Sequence, residues 1–252
     1  GAEYPFIVDT GSTVTVYDET LRPRLGQPVT THIAGMGAGK ARLQMFRAPE
    51  ARLGKLELPT GGLVGCADLS AVRDVVRSLS GQEVYGILGM DFLKDYVLQI
   101  DFEEKRLAII EPGASPRRWG QGFPIEYASG GIPVLAATLS NDVQARFLVD
   151  TGDAGTGDIE AELFERLRAQ GSLVVTGLVQ CATGSGYRET PEGRLDRLTL
   201  GPYRHEGLKL FQSHWNGLGL GYLSHYIVTF DFPNGILYLK RPSGPSPTSY
   251  RS

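Results

Sequence analysis

A chain of 252 residues with 41% hydrophobic and 21% charged side chains has enough apolar surface to bury a core, which excludes the fibrous and intrinsically disordered classes. Its formal net charge is −3 and its basic residues are scattered, so nothing points to nucleic acid or an anionic membrane surface as partner. No stretch approaches the roughly 18 apolar residues of a membrane span, and no basic-then-apolar signal segment opens the chain.

From the N-terminus, Gly1 to Val8 leaves room for one strand, and its apolar end Phe6-Ile7-Val8 runs straight into Asp9-Thr10-Gly11-Ser12-Thr13. The glycine-bearing stretch His32-Ile33-Ala34-Gly35-Met36-Gly37-Ala38-Gly39 lacks the strand-to-helix pattern of a phosphate loop. Leu69, Val72, Val75, Val76 and Leu79 recur at helical spacing before Ser80-Gly81 and predict an amphipathic helix over about 68–79 that covers a sheet. An apolar segment follows, Gly86-Ile87-Leu88-Gly89-Met90-Asp91-Phe92. Residues 111–131, rich in glycine and proline, read as a connector.

Beyond it, Ile132 to Leu139 reads as a strand, Ser140-Asn141-Asp142 as a turn, and Val143 to Val149 as a second strand into Asp150-Thr151-Gly152-Asp153. Leu163, Phe164 and Leu167 predict a helix over about 160–169, closed by Gly171. After the glycine-bearing stretch Ala182-Thr183-Gly184-Ser185-Gly186-Tyr187 comes Asn216-Gly217-Leu218-Gly219. The tail 243–252, with Pro245 and Pro247, reads as a mobile terminus.

The two halves are alike beyond their shared tripeptide. Residues 86–102 align without a gap on 216–232, so that Gly219 follows Gly89 by 130 positions, Asp231 follows Asp101 by 130, and Leu237 and Pro242 keep the same distance from Leu107 and Pro112. Asp150 follows Asp9 by 141, which leaves about eleven extra residues between the aspartate and the Leu-Gly motif of the second half. One Asp-Thr-Gly is most often a turn whose carboxylate bonds nearby amides. Two, each with a Leu-Gly partner, point to a pair of carboxylates on two similar frameworks.

This pattern resembles the aspartic peptidases, and more closely the retropepsin-like branch with its bacterial single-chain relatives than the longer pepsins; the likeness covers nearly the whole chain. The resemblance implies a mainly β fold of two similar retropepsin-like β-barrel lobes in one chain, related by a pseudo-twofold axis, with a few short helices. It implies lobes at 1–112 and 132–242 joined by a connector at 113–131, with a flexible tail from 243. Asp9 and Asp150 would be catalytic; Thr10, Gly11, Ser12, Thr151, Gly152 and Asp153 would support them, the two threonines by hydrogen bonds across the pair. Gly35, Met36, Gly37, Gly184, Ser185, Gly186 and Tyr187 would form flaps over the substrate, and Leu88-Gly89 and Leu218-Gly219 would pack behind the catalytic loops.

Two departures stand out. Ser12 suits a family position whose hydroxyl can bond an aspartate oxygen, but the second half has Asp153 there, a third carboxylate that would either raise the apparent pKa of the pair or turn out to solvent. Where the first half has Ile87, the second has Gly217, a weaker apolar plug.

The expected activity is aspartic endopeptidase action on extended, largely apolar polypeptide segments, in a monomer that needs no cofactor or metal. Two close carboxylates share one proton, so one activates a water while the other polarises the scissile carbonyl. The alternative is a catalytically inactive peptide-binding or scaffolding module with a protease-like cleft. His32, His205, His214 and His225 are scattered without metal-ligand spacing, and Cys66 and Cys181 occupy non-equivalent places, so two free thiols are favoured over a disulfide. The first half lacks a counterpart of the strand 132–139. We therefore expect a strand removed ahead of Gly1, with room for a signal or membrane anchor before it. Cell-envelope or secreted placement would follow from such a signal, cytoplasmic placement from its absence.

Overall fold

The computed structural model describes residues 2–36, 39–110, 116–183 and 186–242 and is mainly β. The chain divides into two compact units, Gly1–Phe92 with Val179–Thr190, and Leu93–Leu178 with Pro191–Ser252.

In the first unit a six-stranded sheet runs in the order Ile7–Val8, Gly86–Leu88, Val16–Asp18, Leu63–Ala67, Gly39–Arg47, Thr30–Met36. Its central strands are apolar on both faces, as side chains alternating along a strand require when both sides are covered. Val16, Leu43 and Met45 pack with Leu69 in one cluster, while Tyr17, Phe46, Val64 and Cys66 join Leu21 and Leu25 in another. Burial pushes the Cys66 thiol up from its ordinary pKa, so it behaves as a small core hydrophobe.

The predicted first helix is present as Ser70–Ser80, stopped where Gly81 takes a left-handed φ of 71° and donates to the Arg77 carbonyl at 2.9 Å. Only the start of its apolar stripe is sequestered. Leu69 is 1% exposed and Val72 packs against the Val16 cluster, but Leu79, at the far end, is 68% exposed. The entry is pinned instead by a buried carboxylate. Asp18 accepts from the Thr20 N–H and hydroxyl, the Leu69 N–H and the Arg73 guanidinium. Burial pushes its pKa up, but these donors outweigh it and hold the carboxyl below its ordinary value.

The second unit holds a five-stranded antiparallel sheet in the order Arg106–Ile110, Val97–Asp101, Ile227–Asp231, Ile236–Lys240, Gln121–Pro124. Its two central strands are the segments that align at a distance of 130. They pair about Gln99 and Thr229, whose side chains bond at 2.8 Å, so that Val97 faces Asp231 and Asp101 faces Ile227. The flanking strands repeat this equivalence, Leu107 facing Ile100 as Leu237 faces Phe230. Exchanging the two segments leaves the pairing scheme unchanged, which is a local twofold relation.

Residues 93–110 lie in the second unit, where the full length of Val97–Asp101 is hydrogen-bonded to Ile227–Asp231. The connector is also more than a link. Gln121–Pro124 pairs with Ile236–Leu239, Glu126–Tyr127 pairs with Pro133–Val134, and Trp119, Phe123 and Ile125 are buried. Glycine and proline set its bends, while its backbone donors find partners on sheet edges.

The other sheet, of eight strands, runs Glu126–Tyr127, Pro133–Leu139, Gln144–Val149, Gly217–Leu218, Gly157–Glu160, Tyr203–Ser213, Gly186–Leu200, Leu173–Thr183. The strand pair predicted before Asp150 is present, turning through Asn141 and Asp142 at φ 55° and 58°. The second helix, Ala161–Ala169, buries Leu163, Phe164 and Leu167 as its spacing requires.

Two histidines far apart in sequence, His205 and His225, have ring centres 5.4 Å apart. His205 is bonded to the Tyr226 hydroxyl at 2.6 Å, and burial pulls its pKa down to about 4, which keeps the ring neutral over most of the working range. Among the described residues no three His, Cys, Asp or Glu side chains gather in a way that could hold a metal ion, and no helix is long and apolar enough to cross a membrane.

Candidate active site

Each Asp-Thr-Gly turn is built by a short parallel contact between two strands of its own unit. Ile7 and Val8 lie beside Ile87 and Leu88, and Leu148 and Val149 lie beside Gly217 and Leu218. The aspartate follows as the next residue, and its N–H continues the ladder. Asp9 N donates to the Leu88 carbonyl at 3.0 Å, and Asp150 N to the Leu218 carbonyl at 3.0 Å. The carboxylates are then fixed from inside the turn, where Gly11 N donates to Asp9 Oδ1 and Gly152 N to Asp150 Oδ1, each at 2.8 Å. A third contact closes both loops, Met90 N to the Ser12 carbonyl at 2.8 Å and Leu220 N to the Asp153 carbonyl at 2.7 Å. Asp9 and Asp150 are only partly buried, whereas Thr10 and Thr151 are 0% and 4% exposed.

The Leu-Gly motif is explained by space. Leu88 and Leu218 are core residues, at 4% and 0% exposure. A Cβ on Gly89 would stand 2.6 Å from the Val14 carbonyl carbon, and one on Gly219 would stand 2.5 Å from the Gly155 carbonyl oxygen. Only glycine lets the Asp-Thr-Gly loop cross its supporting strand this closely. The weaker plug expected at Gly217 is covered by Trp215, whose ring lies 3.6 Å from where a Cβ would sit.

Thr15 is part of this support and was not singled out from sequence. Its buried hydroxyl accepts from Gly89 N at 3.1 Å and donates to Asp91 Oδ1 at 2.7 Å. Thr156 stands 141 positions later, the same distance that separates the aspartates, and there the main-chain carbonyl takes the bond from Gly219 N at 3.1 Å. That shared distance was the available signal. We expect Thr15→Val to leave the Gly89 N–H without its acceptor at a cost of about 1–3 kcal/mol. Thr156→Val, which keeps the backbone acceptor, should cost much less; denaturant unfolding of both variants checks the contrast.

The two halves differ at the residue after each triplet. The Ser12 hydroxyl donates to the Val14 carbonyl at 2.9 Å, whereas sequence suggested an aspartate oxygen as its partner. Asp153 does not turn out to solvent. Its Oδ1 accepts from Gly155 N at 2.8 Å, and its Oδ2 sits 2.5 Å from where a Gly219 Cβ would stand. Burial pushes its pKa up to about 6 from an ordinary 3.8, against the lowering effect of the Gly155 bond, with a smaller push from the neighbouring Asp150.

A carboxyl raised in the folded state binds its proton more tightly there than when unfolded, so its effect on stability is most favourable below pH 4 and is lost as pH rises through about 6. Asp153→Asn should therefore leave the melting temperature nearly unchanged at pH 4 and raise it at pH 7, by no more than about 3 kcal/mol of stability. Thermal melts at the two pH values test this.

Of the expected flap residues, Gly35 and Met36 lie at the end of the hairpin Thr30–Met36/Gly39–Arg47, where Met36 pairs with Gly39; Gly37 falls outside the described residues. In the second hairpin Gly184 and Ser185 also fall outside them, Gly186 begins the strand Gly186–Leu200, and Tyr187 is 66% exposed.

Comparison with known proteins matches residues 1–92 to a family model described as aspartyl protease. Among solved structures, the chain is similar to a retropepsin-like aspartic protease from Rickettsia conorii, at 19% identity and a TM-score of 0.36, over 47% of this chain and 89% of that one. No curated protein matches. The matched residues 1–92 hold Asp9-Thr10-Gly11 near one end and Ile87-Leu88-Gly89 near the other, so the likeness to the aspartyl proteases read from these motifs is borne out over that part of the chain.

Proposed function

We propose that the chain is an aspartic endopeptidase in which Asp9 and Asp150 act as a pair on a single water. The observation that carries this is the equality of the two turns: each aspartate is delivered by the same parallel strand contact, N–H ladder bond and glycine amide. A turn that merely reversed the chain would not require the same support twice.

With one shared proton the pair holds a base and an acid together. The ionised carboxylate takes a proton from the water as it attacks the scissile carbonyl, and the protonated partner polarises that carbonyl. The proton then passes to the leaving amine, and the titration belongs to the pair rather than to either residue. The hairpins Thr30–Met36/Gly39–Arg47 and Leu173–Thr183/Gly186–Leu200 would close over an extended peptide and bond its backbone as an added strand, with Tyr187 offering apolar contact. The expected substrate is therefore an extended polypeptide with apolar residues flanking the cut.

Incubating the purified chain with a diverse peptide library from pH 3 to 8, read by mass spectrometry, tests the proposal. Cuts between apolar residues support it; intact peptides across the whole range contradict it.

A further inference from the structure

We infer that His205 is an acid-sensitive latch, a positioning residue that holds the Asp150 loop in place through Tyr226 and the segment 219–226 and releases it on taking up a proton. Its bearing on catalysis rests on the peptidase reading above; the hold itself is independent of that reading.

The loop that follows Asp150 is tied to one short segment. Three successive amides donate to it, Gly219 N to the Thr156 carbonyl at 3.1 Å, Leu220 N to the Asp153 carbonyl at 2.7 Å and Gly221 N to the Gly155 carbonyl at 2.8 Å. The same segment then winds through the short helix Leu220–Leu223, where Leu223 N donates to the Gly219 carbonyl and Tyr226 N to the Leu223 carbonyl, each at 3.0 Å. A movement of Tyr226 is therefore passed to the donors on which the loop depends.

Tyr226 is 2% exposed and is gripped from the strand Tyr203–Ser213. His205 Nε2 meets its hydroxyl at 2.6 Å, and the Tyr203 ring centre lies 4.8 Å from its own. The His205 ring centre also lies 4.8 Å from that of Tyr222, so it touches both turns of the segment. Among the described residues, none of the groups that face His205 can balance a positive charge. From the segment come Tyr222, Tyr226 and His225, a second imidazole whose ring centre is 5.4 Å away. After the strand Ile236–Lys240 comes Arg241, whose guanidinium lies over the Tyr203 ring at 5.5 Å. Across the ladder stands Leu198, which is 0% exposed. The carboxylate next in the chain, Glu206, is on the opposite face of the strand and pairs there with Arg204.

A neutral imidazole can accept from the Tyr226 hydroxyl or donate to it, whereas an imidazolium can only donate and is poorly solvated in this cluster. Burial first, then His225 and Arg241, pull the His205 pKa from an ordinary 6.5 down to about 4. The contribution of the neutral ring is complete above pH 6.5 and fades as the pH falls toward 4, because a ring released to water takes up the proton more readily. Acid thus favours the state in which His205 has left Tyr226. At the places equivalent to Tyr222 and His225 the first half has Phe92 and Asp95, so the latch belongs to the second half. Acid should loosen the Asp150 loop and spare the matching contact of the Asp9 loop, Met90 N to the Ser12 carbonyl.

The test is amide hydrogen exchange of the wild-type chain at pH 6.5 and pH 4, read residue by residue by NMR as protection factors, and repeated with His205→Gln and His205→Phe. Gln can still bond the Tyr226 hydroxyl but never takes up the proton; Phe keeps a ring but makes no such bond. In the wild-type chain, protection of the Gly219, Leu220 and Gly221 N–H groups should fall about ten- to a hundredfold between the two pH values relative to Met90, as the ratio of proton uptake by a free and a held imidazole requires. In the Gln variant it should stay level, and in the Phe variant it should be low at both pH values. Protection that does not fall in the wild-type chain, or that falls as far in either variant, overturns the inference. Exchange needs no peptide to be cut, so a wild-type chain inactive on peptides would count against the peptidase reading alone.

Discussion

Asp9→Asn and Asp150→Asn should each lower kcat by about a thousandfold or more while leaving the protein folded. The magnitude follows from the proposed role: each change removes a carboxyl that exchanges a proton in the transition state, a contribution of roughly 10²–10⁴-fold, and with it the pairing of a base for the water with an acid for the carbonyl. The folded state should survive because an amide oxygen at position 9 or 150 can still accept the glycine N–H that holds the carboxylate at 2.8 Å. Two residues acting as one unit give non-additive losses. The double variant should therefore be hardly worse than either single one, and circular dichroism beside steady-state kinetics checks both statements.

Gly89→Ala is expected to have a large effect on the fold. The new methyl would meet the Val14 carbonyl carbon at 2.6 Å, its oxygen at 2.7 Å and the Ser12 carbonyl at 3.0 Å, all of them backbone atoms of the loop that follows Asp9. Side chains can rotate away from a clash; this loop cannot, since Met90 N holds the Ser12 carbonyl and Thr15 holds Gly89 N. A cost of about 3 kcal/mol or more is expected, with a fall of roughly 10 °C in melting temperature. Gly61→Ala, with no atom within 4 Å of the new methyl, is the control and should melt with the wild type.

The supporting strands of both turns could be read from sequence because an apolar run ending in Asp-Thr-Gly and a distant Leu-Gly motif recur at fixed distances. The helices Ser70–Ser80 and Ala161–Ala169 could be read from their periodicity. Other features could not. The constant distance of 130 marks 97–101 and 227–231 as equivalent, but equivalence does not say that the two segments pair with each other, as they do about Gln99 and Thr229. The connector looked like a linker because glycine and proline signal bends, and nothing local reveals that Gln121–Pro124 finds a sheet edge. Leu79 belongs to the apolar stripe of its helix yet stays exposed, because periodicity defines a face without saying how far the sheet beneath it extends.

At the site, residue type alone did not say whether Asp153 turns out to solvent. The choice was made by contacts distant in sequence, the close passage of Gly219 and the bond from Leu220 N. Likewise Thr15 stood out only once Gly89 N was seen to need an acceptor, a requirement set 74 residues away.

The most direct test of whether Asp9 and Asp150 act together is the set of peptide bonds cut from one diverse library by the wild-type chain, Asp9→Asn and Asp150→Asn, compared by mass spectrometry at the pH of greatest activity. If the two aspartates share one water, every bond cut by the wild-type chain is lost in both variants, while peptides still bind. If each variant loses a different subset of cuts, or either keeps the full set, the aspartates do not act as a pair and the account is contradicted.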